Sequence, residues 1–105
     1  MYCQFEWDSD KAASNWRKHK IRFETALRVF ADPLALTHQD RTVGGEQRWQ
    51  TIGMVENRVL LLVAHTIDEV HEGNQLGEII RIISARRADP TERRRYEQEK
   101  SYTQI

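Results

Sequence analysis

The stretch RVLLLVAHT, residues 58–66, holds six apolar residues in a row, from Val59 to Ala64. Successive side chains of a strand point to opposite faces, so a strand that is apolar on both parities must be covered on both sides and belongs in the middle of a sheet. The preceding segment RWQTIGMV, Arg48 to Val55, reads as a second strand. Between the two stands Glu56-Asn57, and asparagine tolerates the positive φ that a tight hairpin turn requires. A central hairpin is therefore the first expectation.

The rest of the chain alternates between extended and helical periods. QFEW, Gln4 to Trp7, predicts a short opening strand. Asp8 or Ser9 then caps a helix that carries Ala12, Ala13 and Trp16 on one face and ends near His19. A second helix has Phe23, Ala26, Leu27 and Phe30 at i, i+3, i+4 and i+7, and Asp32-Pro33 stops it because the residue before proline is pushed out of the α region. Leu34 to His38 reads as a strand, and the polar QDRTVGGEQ after it as a loop. HTIDEVHEGNQLGE, His65 to Glu78, carries four acids and no Lys or Arg, and reads as an acidic loop. EIIRIISAR, Glu78 to Arg86, is a further strand. Asp89, Pro90 and Glu92 then form a capping box with proline at the first helical position, opening a helix to about Tyr102.

The order β-α-α-β-β-β-β-α predicts one α+β domain over residues 1–105, a four-stranded antiparallel meander packed against helices. The single Cys3 cannot form an internal disulfide. No apolar run approaches the ~18 residues of a membrane span, and no basic start leads into an apolar signal region. A reducing, cytoplasmic setting away from the membrane is the default expectation.

Charge excludes a uniformly basic nucleic-acid binder, since 16 basic residues balance 16 acidic ones. Affinity for an anionic partner must come from local patterning. Residues 79–100 supply it, with Arg81, Arg86, Arg87, Arg93, Arg94, Arg95 and Lys100 against four acids. Arginine's fork is always charged and contacts phosphate oxygens two at a time. On a regular strand, however, Arg81 and Arg86 have opposite parity and cannot face the same groove unless the strand bends or has ended by Arg86. Pairing of these arginines with acids of the last helix is the structural alternative. His65 is the candidate acid or base because imidazole titrates near neutral pH. A histidine closing a strand is also an ordinary structural residue, and no metal-ligand spacing accompanies it. Lys18 and His19 complement the dipole at the end of the first helix or contact phosphate. Glu46 and Arg48 open a hairpin strand and can form a simple cross-strand pair. Tyr96 packs on the sheet or offers its hydroxyl to a bound partner. Trp7, Trp16 and Trp49 are core by default.

The blocks FEWD, NWRKHKIRFETALRVFADP, EQRWQTIGMVENRVLLLVAHT and IRIISARRADPTERRRYEQ resemble the BrnT family of ribonuclease toxins from bacterial toxin–antitoxin pairs, over Phe5 to about Gln98. The resemblance implies a RelE-like fold, metal-independent cleavage of RNA without a cofactor, and inhibition of translation. It also implies silencing by a BrnA-like ribbon-helix-helix antitoxin, through which alone operator DNA is engaged. The resemblance marks both Glu46 and Arg48 as family positions. On this reading the catalytic candidates are Arg48, His65, Arg81, Arg86 and Tyr96, with Lys18, His19 and Arg87 contacting RNA. Arg86, Arg93, Arg94 and Arg95 are the candidates for binding the antitoxin. The alternative function is a catalytically weak protein that acts with the antitoxin as a co-repressor. Ile67 and Asp68 stand where the family pattern carries a basic residue just after the AHT block.

Overall fold

The computed structural model describes residues 2–103, with side chains for residues 2–99. Strand β1 (Tyr2–Trp7) leads into helix α1 (Ser9–His19) and a short helix α2 (Phe23–Ala26) that tightens into a 3₁₀ turn at Leu27–Ala31. Strands β2 (Leu36–Val43), β3 (Glu46–Val55), β4 (Val59–Glu72) and β5 (Gln75–Arg87) follow, and helix α3 (Pro90–Thr103) closes the order. Among the described residues no helix is long and apolar enough to cross a membrane.

The sheet has five strands in the order β1-β5-β4-β3-β2, one more than expected. The additional member is β1, which runs parallel to β5 with Phe5 opposite Ile80 and Trp7 opposite Ile82, so the sheet is mixed. Strands β2 to β5 pair consecutively and antiparallel. Strand β4 lies in the centre, as its apolar run requires. Leu61 and Val63 pack with Phe23, Ala26 and Val29 on the face covered by α1, α2 and the 3₁₀ turn. Leu60 and Leu62 pack with Ile52 and Tyr96 on the face covered by α3. We call these the α1 face and the α3 face. The 3₁₀ turn lies so close to the sheet that a Cβ on Gly53 would stand 2.8 Å from both Cβ and the carbonyl oxygen of Val29.

Two segments expected as loops are strands. The acidic stretch after His65 forms a β4–β5 ribbon in which Asp68 pairs with Ile79 and Glu72 with Gln75. Likewise Gln39 to Val43 continue β2, and only Gly44-Gly45, both at positive φ, make the turn into β3. Glu56 and Asn57 both have φ 55°, so the central hairpin turns where the sequence places it.

Caps fix the helices. Asp8 accepts from Lys11 N at the start of α1. At α3 the capping box is closed in both directions, Glu92 N donating to Asp89 Oδ1 (2.8 Å) and Asp89 N to Glu92 Oε1 (2.9 Å). Asn15 on α1 acts as a surrogate strand beside β5. Its Nδ2 donates to the carbonyls of Ile21 and Ala85, and its Oδ1 accepts from Ala85 N, all at 2.9–3.0 Å.

Candidate functional site

One irregularity decides which side chains meet. In the β4–β5 ladder Ala64 pairs with Ser84 but His65 pairs with Ile82, so Ile83 is an extra residue, a β-bulge. The bulge reverses the alternation of β5. Ile80, Ile82 and Ala85 are all buried, at a spacing of two and then three. Ser84 and Arg86 lie opposite Ala64 and Leu62 on the α3 face, and beyond the bulge Arg81 lies opposite Thr66 on that same face. The parity conflict between Arg81 and Arg86 is thereby removed.

Arg48 joins them. Its neighbour Trp49 pairs with His65 on the α1 face, which turns Arg48, Glu46 and Gln50 towards the α3 face. Glu46 stands between the two arginines, Oε1 lying 2.5 Å from Arg81 and 3.4 Å from Arg48 Nε. His38 pairs with Gln50 and so shares this face. Three buried polar atoms lack a hydrogen-bond partner among the described residues, His38 Nε2, Arg48 Nε and Thr66 Oγ1, and all belong to residues of this one face. Buried polar groups are ordinarily satisfied, so this face, on which Arg48 Nε has only the Glu46 carboxylate at 3.4 Å, is the candidate site. Burial, and then the nearby Arg95 guanidinium, hold the His38 imidazole below its ordinary range, against an opposing pull from Glu99.

Arg86, Arg93 and Arg94 have partners on α3. Arg86 spreads its fork over Glu92, Nη1 to Oε1 and Nη2 to Oε2 at 2.8 Å each, and so ties β5 to the cap of α3. The hydrogen bond holds the Glu92 carboxyl below its usual range and raises Arg86. Arg93 reaches Glu97 at 3.9 Å, and Arg94 donates to Thr91 Oγ1 at 3.2 Å. Arg87 is exposed and, opposite Leu61, is turned to the α1 face.

Two catalytic candidates are buried. His65 is completely buried on the α1 face, 5.0 Å edge-on from the Phe30 ring. The Thr66 carbonyl accepts from Nδ1 at 3.2 Å, and Nε2 lies 2.7 Å from Thr51 Oγ1, which lies 2.8 Å from Thr37 Oγ1. Because a carbonyl only accepts, Nδ1 carries the proton and the neutral ring takes the Thr51 proton at Nε2. Burial lowers the His65 pKa further, with the Thr66 hydrogen bond opposing it. Tyr96 is buried against Ile52 and Leu62, and its hydroxyl donates to Asp32 Oδ2 at 2.7 Å. Desolvation, followed by the Asp32 hydrogen bond, pushes its pKa up to about 12. Both are placed as fastenings of the sheet.

Lys18 and His19 are exposed at the end of α1, on the rim of a cleft that also includes Ser14, Ile83 and Ser84. This cleft joins the end of α1 to the bulge. Trp16, expected in the core, is 40% exposed. Sequence reasoning also missed His38, Thr66 and Ser84, whose shared face depends on the register and on the bulge.

This is a small mixed-sheet α+β domain with helices on both faces and an arginine-bearing face beside α3. Its fold is similar to that in the crystal structure of the Brucella abortus ribonuclease toxin BrnT, with a TM-score of 0.54 and 20% identity over 85% of this chain and 99% of that one. The sequence model described as the ribonuclease toxin BrnT of type II toxin–antitoxin systems matches residues 7–92, so the chain belongs to the BrnT family. No curated protein matches the sequence. Membership of a type II toxin–antitoxin family implies an antitoxin partner.

Proposed function

We propose that this chain cuts single-stranded RNA without a metal, by attack of a ribose 2′-hydroxyl on the adjacent phosphate. The observation that carries the reading is the Arg48–Glu46–Arg81 group, two cations flanking one carboxylate on the α3 face. Arg48 and Arg81 exchange Glu46 for the phosphate and hold its non-bridging oxygens as negative charge builds there. Glu46, left beside the ribose, takes the 2′-hydroxyl proton. The 2′-oxygen bonds to phosphorus while the bond to the 5′-oxygen breaks, and that oxygen takes a proton from water. The products are a 2′,3′-cyclic phosphate and a 5′-hydroxyl. Arg86 acts by holding α3 in place, and His65 and Tyr96 by fixing the sheet beneath and beside the site. Lys18, His19 and Arg87 contact RNA along the rim.

In the cell, on this reading, cleavage inhibits translation in the cytoplasm, and the consecutive antiparallel strands β2 to β5 correspond to a RelE-like arrangement. A BrnA-like ribbon-helix-helix antitoxin silences the toxin by covering the same face, meeting Arg93, Arg94 and Arg95 of α3 with carboxylates, and carries the pair to operator DNA.

The test is incubation of the purified chain, free of any partner, with single-stranded RNA in EDTA. Cleavage with cyclic phosphate ends is expected, and Arg48→Ala and Arg81→Ala should each slow it about ten- to a thousandfold. Cleavage that vanishes in EDTA and returns with a divalent ion would overturn the mechanism. So would full activity in both variants.

A further inference from the structure

Away from the arginine face, the end of α1 gathers an exposed aromatic ring and a group of cations, of which the proposed chemistry uses only Lys18 and His19, as rim contacts to RNA. Arg17, Lys18, His19, Lys20 and Arg22 are all exposed, and among the described residues none of the four Lys and Arg forms an ion pair. The chain is bent to bring them together. Lys20 caps α1 at φ 58°, in the left-handed region, and its N–H bonds back to the Trp16 carbonyl at 3.0 Å. The Ile21 carbonyl is then held by Asn15 Nδ2 and its side chain is buried, which fixes the direction in which the chain leaves. Lys20 Nζ and the Arg22 guanidinium carbon therefore return to within 5.5 and 4.4 Å of the Trp16 ring centre.

Beside this stack lies a recess of about 330 Å³, with Trp7 and Trp16 as walls, Ala12 and Ala13 between them, and Arg22 and Glu24 at the rim. Its size falls at the lower end of small-ligand sites. A wall of exposed aromatic surface, extended by a stacked guanidinium and surrounded by unpaired cations, matches a flat ring carried on a phosphate chain. An acidic peptide would use the cations and leave the aromatic recess empty. The cleft holding Lys18, His19 and Ser84 lies on the other flank of α1 and reaches the bulge next to the arginine face, so a strand crossing the end of α1 connects the two.

We propose that the Trp7–Trp16 recess is a nucleobase subsite that receives a base of single-stranded RNA several nucleotides away from the scissile phosphate. The proposal rests on the ribonuclease reading for the identity of its ligand, but its test does not depend on cleavage. The probe is a fluorescent, uncleavable 2′-O-methyl oligoribonucleotide, ten nucleotides against two, with binding read by anisotropy. Trp16→Ala and Arg22→Ala should each weaken the decamer about five- to a hundredfold, the range for losing one stacked base, and leave the dinucleotide unchanged. Trp16→Phe, which keeps a stacking face, should retain most of the decamer affinity and guards against a variant that merely unfolds. If the ribonuclease reading alone is wrong, no cleavage is seen but decamer binding still depends on Trp16. Decamer affinity equal to the parent in both Trp16→Ala and Arg22→Ala would overturn the subsite. A loss of antitoxin affinity in those variants with RNA affinity intact would also overturn it, because the recess would then be a protein-docking surface.

Discussion

The perturbation that best separates the two roles open to Arg86 is made on its partner. Glu92→Gln removes the carboxylate charge and turns one of the two oxygens facing the Arg86 fork into a donor, with almost no change of shape. Three contacts are involved, two from Arg86 at 2.8 Å and one from Asp89 N at 2.9 Å. Hydrogen bonds to charged groups contribute about 1.5–3 kcal/mol, and a helix cap about 1. Arg86 keeps 38% of its side chain exposed, against 13% for Glu92, so solvent screening places the ion pair at the lower end. The amide retains one acceptor for Asp89 N, and we expect a net loss of about 2 kcal/mol at neutral pH. For a domain of this size that is a fall of about 10 °C in Tm. The pH dependence is an independent check. Arg86 holds the Glu92 carboxyl below its ordinary 4.5 in the folded state, so its stabilisation is present above pH 4.5 and is lost as the pH falls through the folded value. Urea unfolding of parent and variant at pH 7 and pH 3 should therefore show a gap that narrows on acidification. A gap under about 0.5 kcal/mol at pH 7, the range of an ordinary surface change, would refute the clamp, as would one equally large at pH 3.

Two further outcomes follow from the packing. Gly53→Ala drives a methyl into Val29, whose Cβ and backbone oxygen both lie 2.8 Å from it, and should cost about 1–3 kcal/mol in a denaturant titration; an unchanged midpoint would show that the 3₁₀ turn yields freely. Tyr96→Phe loses the bond to Asp32 and should cost about 1–2 kcal/mol with RNA cleavage intact. Because the folded phenol titrates at about 12 against an ordinary 10, the parent should also lose stability as the pH rises between those values, a slope the phenylalanine variant lacks.

What the sequence disclosed tracks how local each signal is. The Glu56-Asn57 turn and the Asp89–Glu92 capping box involve residues no more than three apart, and both were legible. The β4–β5 ribbon was not, because Asp68, Glu69, His71 and Glu72 are polar on both parities, and only cross-strand pairing, invisible in either strand alone, makes them extended. The candidate site fared similarly. Arg48 and Arg81 could be named as residues but not brought together, since only the register of β3 on β4 and of β4 on β5 makes them neighbours, and Arg81 and Arg86 share a face only because of one inserted residue at Ile83. His65 and Tyr96 carry the chemistry of catalytic groups, but burial has committed both to internal hydrogen bonds, and burial is settled by distant partners such as Thr51 and Asp32. Asn15 gave no signal at all, since its partner Ala85 lies 70 residues away.

The pairing of β1 with β5 governs when in synthesis the fold, and with it the proposed activity, can be completed. Tyr2–Trp7 can find a place in the sheet only once Gly77–Ile82 exist, and Asn15 of α1 must wait for Ala85. Arg81, one half of the proposed phosphate clamp, lies inside the same late segment. During synthesis the β2–β3–β4 core can form from neighbours, but the edge that completes the fold closes over the 75 residues from Tyr2 to Gly77, the kind of contact that forms slowest. A ribosome making this protein therefore carries a chain with an incomplete sheet until β5 has emerged. The proposed activity appears only after β5 has been made, and a partner that binds the earlier strands meets the chain before its phosphate clamp exists.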